Sequence, residues 1–85
     1  MASGIFAVAN IGSVRLYVGE VHQLKPRWAE VLTQLERGTF ADSVVQEAWV
    51  AAKGDRRFSF HTAKDLEADA TMRGRSRFLK DCLKA

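Results

Sequence analysis

The densest charge in this chain lies near its end. Residues 71–85 carry Arg73, Arg75, Arg77, Lys80 and Lys84 against the single acid Asp81, a local balance of +4. The whole chain sums to +3, so the first 70 residues come to −1. Cations concentrated in one segment of a near-neutral body suit a phosphate backbone, whose attraction to proteins rests largely on Lys and Arg. The same spacing also suits a solvated helix face. Other reactive side chains are few. Cys82 is the sole cysteine, so an internal disulfide is excluded, and with two histidines it gives no ligand cluster for a structural zinc. No histidine neighbours Cys82 to deprotonate it, and it reads as a small core residue. His61 lies in an alternating stretch and reads as a strand residue.

Elements must hold these groups in place. Eighty-five residues close one core, so the chain reads as a single domain spanning 1–85. Its composition, 47% hydrophobic and 27% charged, argues for a folded domain and against disorder. With neither disulfide nor zinc, the apolar core alone must hold it. No apolar run approaches a membrane span, and no charged segment followed by an apolar one marks a secretory signal. The expectation is therefore a cytoplasmic protein in a reducing compartment, with no membrane partner.

Ile5–Ala9 is an apolar run suited to a strand buried on both faces. Asn10–Ser13 reads as a turn, and Val14, Leu16 and Val18 then alternate with Arg15, Tyr17 and Gly19, so the pair predicts an antiparallel hairpin. Pro26 suits a first helical turn, Trp28, Val31, Leu32 and Leu35 make one stripe, and Gly38 suits the C-cap. A second helix is predicted from Ser43, with Gln46 completing a capping box, a stripe of Val44, Val45, Ala48, Trp49 and Ala52, and Gly54 at its end. Arg57–Thr62 alternates as a third strand. Residues 65–83 read as a last helix that Gly74 weakens by roughly 1 kcal/mol relative to Ala, so that a break or fraying is expected there. The order β-β-α-α-β-α predicts an α/β fold, a three-stranded antiparallel sheet flanked by helices. A sheet covered on one side would leave room for an oligomer. Both tryptophans lie on apolar stripes and are expected to anchor helices to the sheet, rather than form an exposed aromatic platform.

These residues carry a resemblance. Gly4-Ile5-Phe6, followed after ten residues by Tyr17-Val18-Gly19, resembles the signature of the GIY-YIG nuclease family. Leu24-Lys25-Pro26-Arg27-Trp28 then resembles the start of that family's first helix, and Leu32, Leu35 and Gly38 follow in register. Val45-Gln46-Glu47-Ala48-Trp49 is similar to its second-helix motif, and Gly54 with Phe58-Ser59-Phe60 to its third strand. The likeness covers about residues 3–80. It implies a site in which two tyrosines, an arginine, often a histidine and a metal-holding glutamate surround a scissile phosphate. The arginine would offset developing charge, the glutamate would hold one Mg²⁺ or Mn²⁺, and a tyrosine would orient or deprotonate water.

Carried over residue by residue, the resemblance keeps the second tyrosine as Tyr17 and the arginine as Arg27. The first tyrosine is Phe6, which lacks the hydroxyl, and the histidine position is Val31. Ungapped counting from the third strand puts Arg75 at the glutamate position, where a cation repels a metal. Asp65, Glu67 or Asp69 would supply a ligand only if the last helix were shifted. His22, shortly after Tyr17, is a candidate substitute base. Tyr17 and Arg27 also fit a purely structural reading, as a core-edge residue and a helix-start surface residue.

The expected function is a nucleic-acid-binding domain, with DNA favoured over RNA. Arg27, Arg73, Arg75 and Arg77 would contact phosphates, cleavage would be impaired or lost, and no cofactor is expected. The first alternative is an active nuclease using Tyr17, Arg27, His22 and Mg²⁺ or Mn²⁺. The second is a protein-interaction or regulatory module on the same scaffold. Recognition of specific sites would need a protein partner, because so short a chain has no room for a separate reading segment.

Overall fold

The computed structural model describes residues 4–84. The elements are β1 (Ile5–Ile11), β2 (Val14–Glu20), α1 (Leu24–Arg37), α2 (Ser43–Ala51), β3 (Arg57–Thr62), α3 (Ala63–Glu67) and α4 (Arg75–Lys84), with a short 3-10 turn, Val21–Gln23, before α1. The sheet is antiparallel in the order β2-β1-β3, so the apolar first strand takes the centre. β1 runs two residues further than expected. Ile11 is fully buried and pairs with Val14, which leaves a two-residue turn of Gly12 and Ser13. Gly12 at φ +60 supplies the left-handed conformation that such a turn favours.

The pairing of β1 with β2 slips between Ala7 and Val8: Ala7 faces Gly19 while Val8 faces Tyr17. Adjacent β1 residues point to opposite faces. The bulge therefore moves Gly19 off the face of Tyr17, contrary to simple alternation. This opens a place for Arg27, because a Cβ on Gly19 would lie 3.2 Å from the Arg27 Cγ.

Both faces of the sheet are covered, so the expectation of a one-sided sheet does not hold. On one face, Ala9, Ile11, Leu16 and Val18 pack against Trp28, Val31 and Leu35 of α1 and Val45 of α2. Trp28 meets the rings of Trp49 and Phe58 edge-on at 6.0 and 5.1 Å, which ties α1, α2 and β3 together as the stripes predicted. On the other face, Phe6, Val8 and Tyr17 pack against Leu66, Met72 and Phe78, with half-buried Cys82 at the margin.

The last helix is broken into two, α3 and α4, the second starting right after Gly74, where the sequence allows a break. Thr62 and Asp65 form a reciprocal capping box that starts α3. Between α3 and α4 the chain runs along the outer edge of β2. The Tyr17 N–H donates to the Arg73 carbonyl at 2.9 Å, and the Arg73 N–H donates to the Arg15 carbonyl at 2.7 Å. Backbone N–H and C=O groups on a sheet edge need partners, and a continuous helix through residue 73 would leave these unpaired. Gly74, at φ +80, makes the turn into α4.

α1 ends as expected at Gly38, φ +73, with the Thr39 N–H donating to the Gln34 carbonyl at 2.9 Å and the Gly38 N–H to the Leu35 carbonyl at 3.3 Å. The capping box expected at Ser43 and Gln46 does not form. Asp42 is the N-cap, accepting from the Val44 N–H, because its carboxylate stands one residue nearer the turn. Gln46 instead joins the two helices: its Nε2 donates to the Leu35 carbonyl at 2.9 Å, and its Oε1 accepts from the Phe40 N–H at 3.3 Å. Replacing Gln46 with Ala removes two part-buried bonds of roughly 1 kcal/mol each. The urea midpoint of Gln46→Ala is expected to fall by an amount corresponding to about 1–2 kcal/mol, with the denaturant slope unchanged.

Candidate functional site

Tyr17 sits on β2 with its ring only 1% exposed, packed against Phe78 of α4 at 5.4 Å and Phe6 of β1 at 6.1 Å. Phe6 and Phe78 meet edge-on at 5.5 Å, which closes a three-ring aromatic cluster around Tyr17. The Tyr17 hydroxyl donates to Asp81 Oδ2 at 2.5 Å. Arg27 Nη2 donates to the other oxygen, Oδ1, at 3.1 Å. Phe78 and Asp81, three residues apart on α4, share one face, and Asp81 is itself only 8% exposed. The two side chains kept by the resemblance thus come together as expected, but on a carboxylate between them.

The electrostatics follow from that contact. Burial, then the hydrogen bond to Asp81 and the charge of Asp81, push the Tyr17 phenol far above its ordinary value, with Arg27 offsetting part of the effect. The phenol is a fixed neutral donor and does not act as a base near neutrality. Arg27 is paired with a charge of opposite sign, so less of its field is left for an incoming phosphate. A divalent cation seeks oxygens with free lone pairs. Asp81 already accepts on both oxygens, once from a cation, and among the described residues no group of three His, Cys, Asp or Glu is placed to hold an ion. The bonds from Tyr17 and Arg27 therefore compete with Mg²⁺ or Mn²⁺ for the Asp81 carboxylate.

The other expected residues disperse. Arg75 turns away from Tyr17, and its guanidinium donates to the carbonyls of Leu66 at 3.2 Å, Glu67 at 2.8 Å and Asp69 at 3.0 Å, capping the end of α3. The corner beside the phenol therefore holds an acid, Asp81, where ungapped counting put the cation Arg75. Arg73 grips Asp42 through two bonds of 2.7 and 3.0 Å, and Arg73 holds the Asp42 carboxyl below its usual range. Asp69 pairs with Arg15, and Asp65 serves the α3 cap. Neither of them, nor Glu67, bonds Tyr17 or Arg27. His22 lies on the 3-10 turn with its Nε2 3.3 Å from Glu20 Oε2, half exposed and apart from the phenol.

Of the motif residues, Gly4 precedes β1 at φ +79, Ile5 is at the exposed start of the strand, and Val18 is fully buried on the α1 side. Arg77 is the one expected phosphate contact without an ion pair or hydrogen bond among the described residues. It lines a cleft of about 390 Å³ with Ser76, Gly74, Tyr17, Val31 and Glu30.

Asp81 was the residue missed by the sequence reading. Its signal was present, since it is an acid between the apolar positions Phe78 and Cys82, at a spacing that places it on their side of the helix. A carboxylate on such a stripe needs a partner. Comparison of the chain with protein-family models, with characterised proteins and with solved structures finds no match.

Tyr17 is the only tyrosine, so ultraviolet titration reports it alone. Its folded pKa lies above the unfolded value of 10.0, so its contribution is complete below that pH and is lost as pH rises beyond it. Tyrosinate absorbance is expected to appear only together with alkaline unfolding, followed by tryptophan fluorescence. Ionisation near pH 10.0 with the fold intact would contradict the geometry. Asp81→Ala, which strands a part-buried guanidinium and a buried hydroxyl, is expected to lower stability by roughly 3 kcal/mol in urea.

Proposed function

We propose that this chain is a non-cleaving, nucleic-acid-binding domain built on a GIY-YIG-like scaffold. The observation that carries the reading is the closure of Tyr17 and Arg27 on Asp81. Those are the side chains that would orient water and offset phosphate charge in a nuclease. In this chain their polar atoms are engaged by a buried carboxylate, which holds the phenol in its neutral form and pairs the arginine with a charge of opposite sign. A second support is the α4 side of the neighbouring cleft. Arg77 is exposed there, Ser76 offers a hydroxyl, and the first turn of α4 begins beside them. Unpaired N–H groups in a first helical turn favour anions.

Phosphate contact is accordingly assigned to Arg77, Ser76 and the exposed Lys80, in place of Arg73 and Arg75, whose guanidinium groups are engaged by Asp42 and by carbonyls. Arg27 contributes a weaker, partly neutralised field. Contacts of this kind recognise a phosphate backbone and carry no sequence information. Choice of site would then come from a protein partner.

The test has two arms. Binding to duplex and branched DNA is expected to weaken as salt rises, and the double variant Arg77→Ala/Lys80→Ala is expected to bind several-fold less tightly with a shallower salt slope. Plasmid incubated with Mg²⁺ or Mn²⁺ is expected to stay intact. No binding to any nucleic acid at low salt would remove this reading in favour of a protein-interaction module. Nicking that vanishes in both Arg27→Ala and Tyr17→Phe would establish an active enzyme instead.

A further inference from the structure

The cleft of about 390 Å³ beside α4 is large enough for one nucleotide, and only its phosphate end enters the reading above. Its sides differ in kind. Ser76 and Arg77 come from α4, Glu30 and Gln34 from α1, and the apolar residues Leu16, Val31 and Phe40 complete the lining. Glu30 and Gln34 stand four residues apart, on one face of the helix. Both are exposed, and among the described residues neither side chain has a hydrogen bond or ion pair. The loop that carries Phe40 and Asp42 is braced. Arg73 grips Asp42 at 2.7 and 3.0 Å, and the Phe40 N–H donates to Gln46 at 3.3 Å. A cleft whose sides are already held loses little freedom when a ligand enters.

The charges restrict the occupant. A bare phosphate is attracted by Arg77 and repelled by Glu30. Both suit a ligand with negative charge at one end and hydrogen-bond donors at the other. An unpaired nucleotide has this form: a phosphate, a flat base that covers apolar surface, and a Watson–Crick edge open to side chains. The edges of the four DNA bases are not equivalent. Guanine presents two adjacent donors, N1–H and N2–H, which match the two oxygens of one carboxylate, and its O6 acceptor lies beside them. Adenine, cytosine and thymine each set an acceptor next to their one donor group, and that acceptor would face the second carboxylate oxygen.

We propose that this cleft takes one unpaired guanine of a DNA strand. Glu30 accepts from N1–H and N2–H, the Gln34 amide donates to O6, and the adjoining phosphate meets Arg77 and Ser76. The inference rests on the reading above for that phosphate contact and adds to it a base preference. In a duplex the same edge is occupied by cytosine, so the cleft selects unpaired segments, such as those at branches. A site built to satisfy particular donors rejects a ligand that lacks them, because its own polar groups are then left unpaired. Preference for one base does not define a longer sequence, so choice of site stays with a partner.

The full chain is titrated at low salt with short thymine strands that carry guanine, adenine, cytosine or hypoxanthine at one central position, and with the all-thymine strand. The guanine strand is expected to bind about tenfold more tightly than the adenine, cytosine and all-thymine strands, within the range for one bidentate base contact. Hypoxanthine keeps N1–H and O6 and lacks the 2-amino group, so its strand is expected to lose most of that preference. Glu30→Gln is expected to bring the guanine strand level with the others. The ratio of affinities is the readout, since loss of an acid also raises attraction to every phosphate. Equal binding of all five strands, equal binding of the guanine and hypoxanthine strands, or a guanine preference that survives in Glu30→Gln would overturn the inference. Salt-dependent binding without base preference, or binding to duplex DNA alone, overturns it and leaves the backbone reading in place. Binding to neither the strands nor duplex and branched DNA removes both.

Discussion

Asp81 carries a charge out of water, and three elements are fixed by the need to satisfy it. A buried carboxylate without partners costs several kcal/mol. Here one oxygen receives the Tyr17 hydroxyl from β2 and the other the Arg27 guanidinium from the start of α1. α4 thereby has a fixed position along the edge strand, with Phe78 seated between Tyr17 and Phe6. The β-bulge and Gly19 belong to the same constraint. A Cβ at that residue would crowd the stem of Arg27, its Cγ lying 3.2 Å away.

The arginines show how poorly a count of charge describes a surface. The sequence places Arg73, Arg75 and Arg77 two residues apart, as if on one phosphate-facing strip. In the fold they have three separate roles: a two-point pair with Asp42, a cap on the carbonyls of α3, and an exposed cation beside the cleft. The first two are local consequences of the break between α3 and α4. Carbonyls left open at the end of a short helix attract a guanidinium, and the edge of β2 draws the backbone of residue 73 into a ladder. What remains available to an external phosphate is a smaller patch than the +4 balance suggests.

The core was legible because periodicity reports it directly. The α1 stripe, the Gly38 cap, the third strand and the two-faced burial of β1 all follow from the spacing of apolar residues or from a glycine at a left-handed position. Helix starts were less legible. Asp42 and Ser43 both suit an N-cap by residue type, and Gln46 fits a capping box as well as the inter-helix bond it makes. Composition does not decide between partners that are equivalent locally. The site was half legible in the same way: Tyr17 and Arg27 stood out, while Asp81 resembled one more helix-surface acid until the face of α4 was known.

The sequence by itself determined the order of elements, the content of the two apolar faces and the absence of an internal disulfide. Only the tertiary structure decided that β2 bulges at Val18, that residue 73 pairs with its edge, that Arg75 turns to α3, and that Asp81 stands between Tyr17 and Arg27. Among the described residues no helix is long and apolar enough to cross a membrane, in keeping with the sequence. The division has a physical basis. Burial depends on side-chain type and period, which the chain carries locally. Pairing of charges and hydrogen bonds depends on distances of a few ångströms between residues up to 64 positions apart, and these exist only once both faces of the sheet have closed.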